Sequence, residues 1–214
     1  MDPASAAPAW TLGHALAMFV MWVAMMAAMM VPASAPMIAM VANISRNRRD
    51  RAAPYAPTAV FVAGYLAVWG GFSLLATLAQ WALETFARQD AMAPAPPVLA
   101  GLLLLGAGLY QLTPLQASCL TQCRSPLGFL TLHWREGITG AFGLGARHGA
   151  FCVGCCWALM ALLFAAGVMN VFAIAALTTL VLAERLLPWG ERLARAAGIA
   201  LVLAGMAAIA VGVA

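Results

Sequence analysis

The sequence predicts an all-α fold, a polytopic membrane bundle of about six transmembrane helices in one domain, 1–214. Three observations predict it. Hydrophobic residues make up 64% of the chain and charged residues 8%, against about 25% charged in soluble proteins, so there is too little polar surface to face water. The seven acids and eleven arginines, with no lysine, sit mostly at the edges of long uncharged runs, as charges do at the ends of membrane helices. Those runs approach or exceed the roughly 20 residues a membrane span needs. A soluble enzyme and a disordered chain are excluded on the same grounds. Although the formal net charge is +4, the arginines are too few and too scattered for a nucleic-acid footprint, so no nucleic acid is expected as partner.

Each element follows from its flanks. The first helix, about 15–44, contains no Asp, Glu or Arg and carries Pro32 and Pro36 near its end. It lacks a basic leader and a short apolar stretch, so it reads as a span rather than a cleaved signal peptide. A loop with Arg46, Arg48, Arg49 and Arg51 follows. The second helix, about 58–83, closes near Glu84 and Arg88, and the third, about 98–112, is stopped by Thr113-Pro114. The region 115–147 is the longest polar stretch; Phe129, Leu130, Leu132 and Trp134 within it read as a segment lying at the interface. The apolar run that resumes at His148 is too long for one helix, and the Gly167–Asn170 stretch divides it into 148–167 and 170–187. The last helix, about 196–213, has Gly198, Gly205 and Gly212 at intervals of seven, a small-residue face that allows close helix packing in lipid. That face leaves a homo-oligomer open.

With the first loop in the cytoplasm, arginines 46, 48, 49, 51, 124, 135, 147, 185, 192 and 195 fall inside and Arg88 outside. By the positive-inside rule both termini are then outside, in a bacterial inner membrane, and region 115–147 is cytoplasmic. The cytoplasm keeps thiols reduced, so the five cysteines read as ligands or redox groups rather than structural disulfides.

The chemistry concentrates in three clusters. His148, Cys152, Cys155, Cys156 and Met160 are separated by three or four residues, which on a helix puts imidazole, thiols and a thioether on one face. Soft sulfur ligands select Cu(I) and zinc, and imidazole suits both. A lone cysteine in a membrane helix is ordinarily a small packing residue; three within five positions, flanked one turn either side by His and Met, point to a metal site. Cys119 and Cys123 form a weaker pair, CLTQC, with Arg124 beside Cys123 to favour the thiolate. Eight of the thirteen methionines lie between Met18 and Met40. Met18, Met21, Met25 and Met29 make one stripe, while Met26 and Met30 make a neighbouring pair. Thioethers are neutral donors tolerated in an apolar path, and they tilt the choice to copper over zinc. The same methionines also fit plain packing.

Other residues read as structural. His133 reads as interfacial, His14 as a boundary residue, Glu184 as a partner of Arg185 or Arg192, and Tyr65, Trp69 and Trp81 as interface and packing aromatics. There is no phosphate-binding loop, dinucleotide fingerprint or haem-attachment motif, so ATP-driven pumping by this chain alone is not expected.

The strings MMAAMMVP, YQLTPLQASCLTQCRSPLGFL, HWREG, GARHGAFCVGCCWALM, GVMN and ERLLPWG resemble one bacterial family over about 18–204. It is the domain-of-unknown-function family 2182 of predicted metal-binding integral membrane proteins, with a group of copper-chaperone-like members that support tyrosinase activity. The resemblance implies Cys119, Cys123, His148, Cys152, Cys155 and Cys156 as metal-binding residues.

The leading expectation is a non-enzymatic Cu(I) chaperone or facilitator, with zinc or another soft metal as the alternative ion, passing copper to a copper-dependent client by stepwise ligand exchange. Met25 and Met29 would belong to a low-affinity thioether path, and affinity should rise with pH because thiols must lose protons to ligate. Two rival readings remain: a membrane thiol-disulfide oxidoreductase, and a structural assembly subunit whose sulfurs only pack.

Overall fold

A computed structural model describes residues 10–50, 56–86 and 90–213, and among them there is no strand. The helices are α1 Leu12–Ala33, α2 Ala35–Asp50, α3 Thr58–Phe86, α4 Pro97–Gln111, α5 Pro114–Arg124, α6 Pro126–His133, α7 Gly137–Ala161, α8 Leu163–Ala166, α9 Val171–Leu186 and α10 Gly190–Val213. Four are long and apolar enough to cross a membrane: α1, α3, α7 together with α8, and α10. The α4–α5 pair, bent by 66°, raises that to as many as five if it counts as one span.

Those four or five stand against the six expected. The α9 helix exists where the sequence places it, but its 16 residues rise only about 24 Å, short of a hydrocarbon core of roughly 30 Å. Likewise α4, at 15 residues, needs α5 to reach the length of a span.

Prolines explain most of the breaks. The expected 15–44 helix is split at Ser34, whose amide closes α1 on the Met30 and Val31 carbonyls. Pro36 has no N–H to give the Pro32 carbonyl, so an unbroken helix there would lose a rung. Pro97, Pro114 and Pro126 each take the first position of α4, α5 and α6, where the missing N–H costs nothing. Side-chain caps from Thr11, Thr113 and Asn170 accept the third amide beyond them at the starts of α1, α5 and α9.

The region expected as a polar loop, 115–147, is largely helical, and α7 begins at Gly137 rather than near His148. Glycines at 137, 140, 143 and 145 hide this helix from a hydropathy reading, yet Gly145 is needed for packing against α3. A Cβ on Gly145 would strike the Phe61 carbonyl, and one on Gly64 would strike that of Phe142, so α3 and α7 meet backbone to backbone. A second seam joins α4 to α10. Gly198 faces Gly108, Gly205 faces Gly101, and Gly212 faces Pro97 and Val98. The small-residue face of α10 is therefore occupied within the chain.

Two apolar cores result. The larger holds Trp22, Met26, Met29, Met30, Tyr65, Trp69 and the three cysteines of α7. The smaller joins α2, α3, α6 and α7 through Met37, Val41, Phe61, Phe129, Leu130 and Leu144. In the segment expected to lie at the interface, Phe129 and Leu130 are buried there, while Leu132 is exposed. Arg48 pairs with Glu136 and lies 5.3 Å above the Trp134 ring, fastening α2 to the approach of α7.

Candidate metal centre

The site forms where α7 is surrounded. This helix packs mainly on α3 and α5, with α4 and α9 touching it less, and α1 reaches it through Met30. Cys152, Cys155 and Cys156 are all at most 1% exposed. The Cys155 and Cys156 thiols donate to the Cys152 carbonyl at 3.2 and 3.0 Å, an i to i−3 and i−4 pattern that keeps both sulfurs close to the helix axis.

Each neighbouring helix adds one group. From α5, Cys123 brings its Sγ to 3.9 Å from Cys155 Sγ. From α1, Met30 Sδ lies 4.0 Å from Cys156 Sγ. From α3, the Tyr65 hydroxyl donates to the Met30 carbonyl at 3.0 Å and lies 3.0 Å from Cys152 Sγ. From α9, Arg185 directs Nη2 at Cys152 Sγ (2.9 Å), Cys155 Sγ (3.2 Å) and Cys156 Sγ (3.6 Å). It also reaches the Cys152 carbonyl at 3.4 Å. All five cysteines are free thiols.

Cys119 lies one turn before Cys123 and packs over Gly154, whose missing side chain makes the room. Tyr110 bonds the Gly154 carbonyl, and Gln116 donates to that of Cys155 at 3.5 Å, so α4 and α5 grip the cysteine-bearing turn from one side. His148 sits one turn earlier, 1% exposed, among Phe61, Tyr65 and Phe129 with ring centroids 5.5 to 6.0 Å away. Neither of its ring nitrogens has a hydrogen-bond partner. It does border a small cavity of about 40 Å³ shared with Ser34, Met37, Cys123 and Arg185. Among the described residues, no group of three or more His, Cys, Asp or Glu side chains is spaced to hold a metal ion. A guanidinium nitrogen, instead of an open centre, stands among the three α7 sulfurs.

The PpoB2 copper chaperone family matches residues 19–208, a range that takes in every member of this cluster. The chain belongs to the PpoB2 copper chaperone family. Neither a curated protein nor a solved structure matches it. Membership in the PpoB2 family agrees with the resemblance carried by the cysteine motifs, and it suggests copper handling. The donors suit that cargo, since thiolate and thioether are the soft ligands that Cu(I) prefers.

In this PpoB2 family member the structure gathers four of the sequence-derived residues, Cys123, Cys152, Cys155 and Cys156. It keeps Cys119 and His148 at the margin. Met29 and Met160 are buried in the same core and Met25 packs at its edge, but it is Met30 whose sulfur approaches a thiol. Two electrostatic expectations are corrected. Arg124 does not serve Cys123; it donates to the Glu184, Leu187 and Pro188 carbonyls at the end of α9, which are unsatisfied helix-terminal acceptors. Among the described residues Glu184 forms no ion pair with Arg185 or Arg192; its Oε1 accepts from Gln111 Nε2 at 2.7 Å.

The sequence reads Arg185 as an ion-pair partner, Tyr65 as a packing aromatic and Met30 as half of a methionine pair, and it places none of the three among the candidate ligands. For Arg185 a signal was present: it stands in LVLAERLLPW, with apolar residues on both sides. An ionisable group buried on an apolar helix is a candidate functional group.

Proposed function

We propose that the chain is a membrane-embedded Cu(I) carrier that holds the ion on buried thiols and hands it to a copper-dependent client enzyme. The observation that carries this reading is the convergence of free sulfurs from separate helices, above all Cys123 of α5 and Cys155 of α7 at 3.9 Å. Zinc takes four ligands in structural sites and three plus water in catalytic ones. Cu(I) accepts two sulfurs, so the close Cys123–Cys155 pair suits copper. Cys152 and Cys156 stand within one turn to take over the ion. Cys119 and His148 flank the pair as entry or exit ligands. Met25, Met29, Met30 and Met160 offer weaker thioether steps through the apolar core. Transfer by exchange among such donors makes one metal–sulfur bond as it breaks another and needs no covalent intermediate on the protein.

The membrane is taken to be the bacterial inner membrane, with both termini outside and the Arg46–Arg49 stretch in the cytoplasm. The test is copper stoichiometry of the purified protein in detergent. The wild type is expected to retain Cu(I), and the combined substitution of Cys152, Cys155 and Cys156 by Ser to lose it. Unchanged copper in the triple variant would place the site elsewhere.

The Cys123–Cys155 approach also favours one rival, thiol-disulfide exchange with a client. A mixed disulfide trapped between Cys123 or Cys155 and a client would support that rival; the copper reading expects none.

A further inference from the structure

Arg185 is an anomaly on charge grounds. Its residue is 7% exposed, it lies in an apolar bundle, and its Nε and Nη1 have no hydrogen-bond partner. A buried charge is ordinarily paired with an opposite one, yet the neighbouring Glu184 turns its Oε1 to Gln111 instead. What the guanidinium does face is sulfur, with Cys152 and Cys155 within 3.2 Å of Nη2. Neutral thiols would leave this cation uncompensated, whereas thiolates would meet it.

We infer that Arg185 is the fixed counter-charge of the copper site and sets its preference for a monovalent ion held by two thiolates. The inference rests on the carrier reading above. Two thiolate charges are balanced by one from the metal and one from the guanidinium, leaving the buried assembly neutral. A divalent ion on the same two thiolates leaves a net positive charge in the apolar core, which is costly. Removing the guanidinium reverses the ranking: the divalent complex becomes neutral and the monovalent complex carries an uncompensated negative charge. Arg185 would thus reject zinc through charge, independently of donor softness. Its position against the sulfurs makes it a positioning and selecting residue, while the thiols remain the ligands.

The experiment measures binding of Cu(I), of Ag(I) as its redox-inert monovalent counterpart, and of Cd(II) as the divalent probe. It uses full-length wild type, Arg185→Met, Arg185→Gln and Arg185→Lys. Loss of one partner of a buried charge pair commonly costs a factor of about 100 or more in an equilibrium constant. Arg185→Met and Arg185→Gln are therefore expected to lower the Ag(I)-to-Cd(II) affinity ratio by about that factor, and Arg185→Lys, which keeps the charge, to hold the ratio within about tenfold. An unchanged ratio in a folded neutral variant overturns the inference. If neither neutral variant folds, the lysine variant decides alone: a collapsed ratio in it shows that charge is not the determinant. A wild type that binds neither Cu(I) nor Ag(I) sinks the carrier reading itself, a result distinct from a wild type that binds both with Arg185 playing no part.

Discussion

Cys155 shows how differently the donors are constrained: its sulfur meets Cys123 Sγ and the Arg185 guanidinium, whereas Cys119 merely packs over Gly154. That contrast orders the substitutions. Cys123→Ser and Cys155→Ser should each cut Cu(I) affinity by at least about 100-fold, and Cys119→Ser by roughly threefold or less, on a scale where tenfold is about 1.4 kcal/mol. Competition with a coloured Cu(I) chelator reads both. Tyr65→Phe keeps the ring and removes one buried hydroxyl bonded to the Met30 carbonyl; such a bond is worth about 1 kcal/mol. A several-fold drop in Cu(I) affinity with a far-UV spectrum unchanged is the expected outcome. At this scale the cysteine spacing was fully legible in the sequence, because three and four residues always share a helical face. The methionines were not. Met25–Met29 and Met26–Met30 are equally good stripes until a second helix chooses between them, and Tyr65 of α3 chooses Met30. Arg185 was masked by its neighbours, since ERLLPWG followed by further arginines looks like a basic loop.

Elements were legible where proline wrote their first residue, as in α4, α5 and α6, and obscure where glycine filled a helix. The first half of α7 looked like a loop because GITGAFGLG has weak helix propensity; the packing of α3 overrides that propensity. Adjacent glycines of this helix make a controlled comparison. Gly143 has open space around its Cα, and Gly145 touches the backbone of Phe61. Gly143→Ala should leave stability unchanged or raise it by up to about 1 kcal/mol. Gly145→Ala should lower it by roughly 1–3 kcal/mol, as overpacking does. Thermal unfolding of the two variants in one detergent distinguishes them.

For the whole molecule, the sequence carried the class, all-helical with several apolar spans, through its composition and the length and charged edges of its apolar runs. It did not carry the number of spans, since whether α4 and α5 act as one bent element depends on a tertiary corner at Thr113. Orientation has a direct test. Asn47 is exposed near the end of α2, so Asn47→Cys in an otherwise cysteine-free chain should react with an impermeant thiol reagent only after the cytoplasmic face is opened. Reaction from the outside of intact cells would invert the topology proposed above.

The glycines of the α4–α10 seam carry no donor atom of their own, yet α4 leads through the Thr113 corner into α5, and α5 delivers Cys123. Anything that pushes α10 away from α4 therefore mis-aims a ligand on a different helix. A genetic screen for failed copper delivery should accordingly return bulky replacements at Gly198 and Gly205 alongside the cysteines, in strains whose every donor residue is intact. A pedigree of such alleles would be misread as marking a second copper site on α10, when what they mark is the hinge line on which the first one hangs.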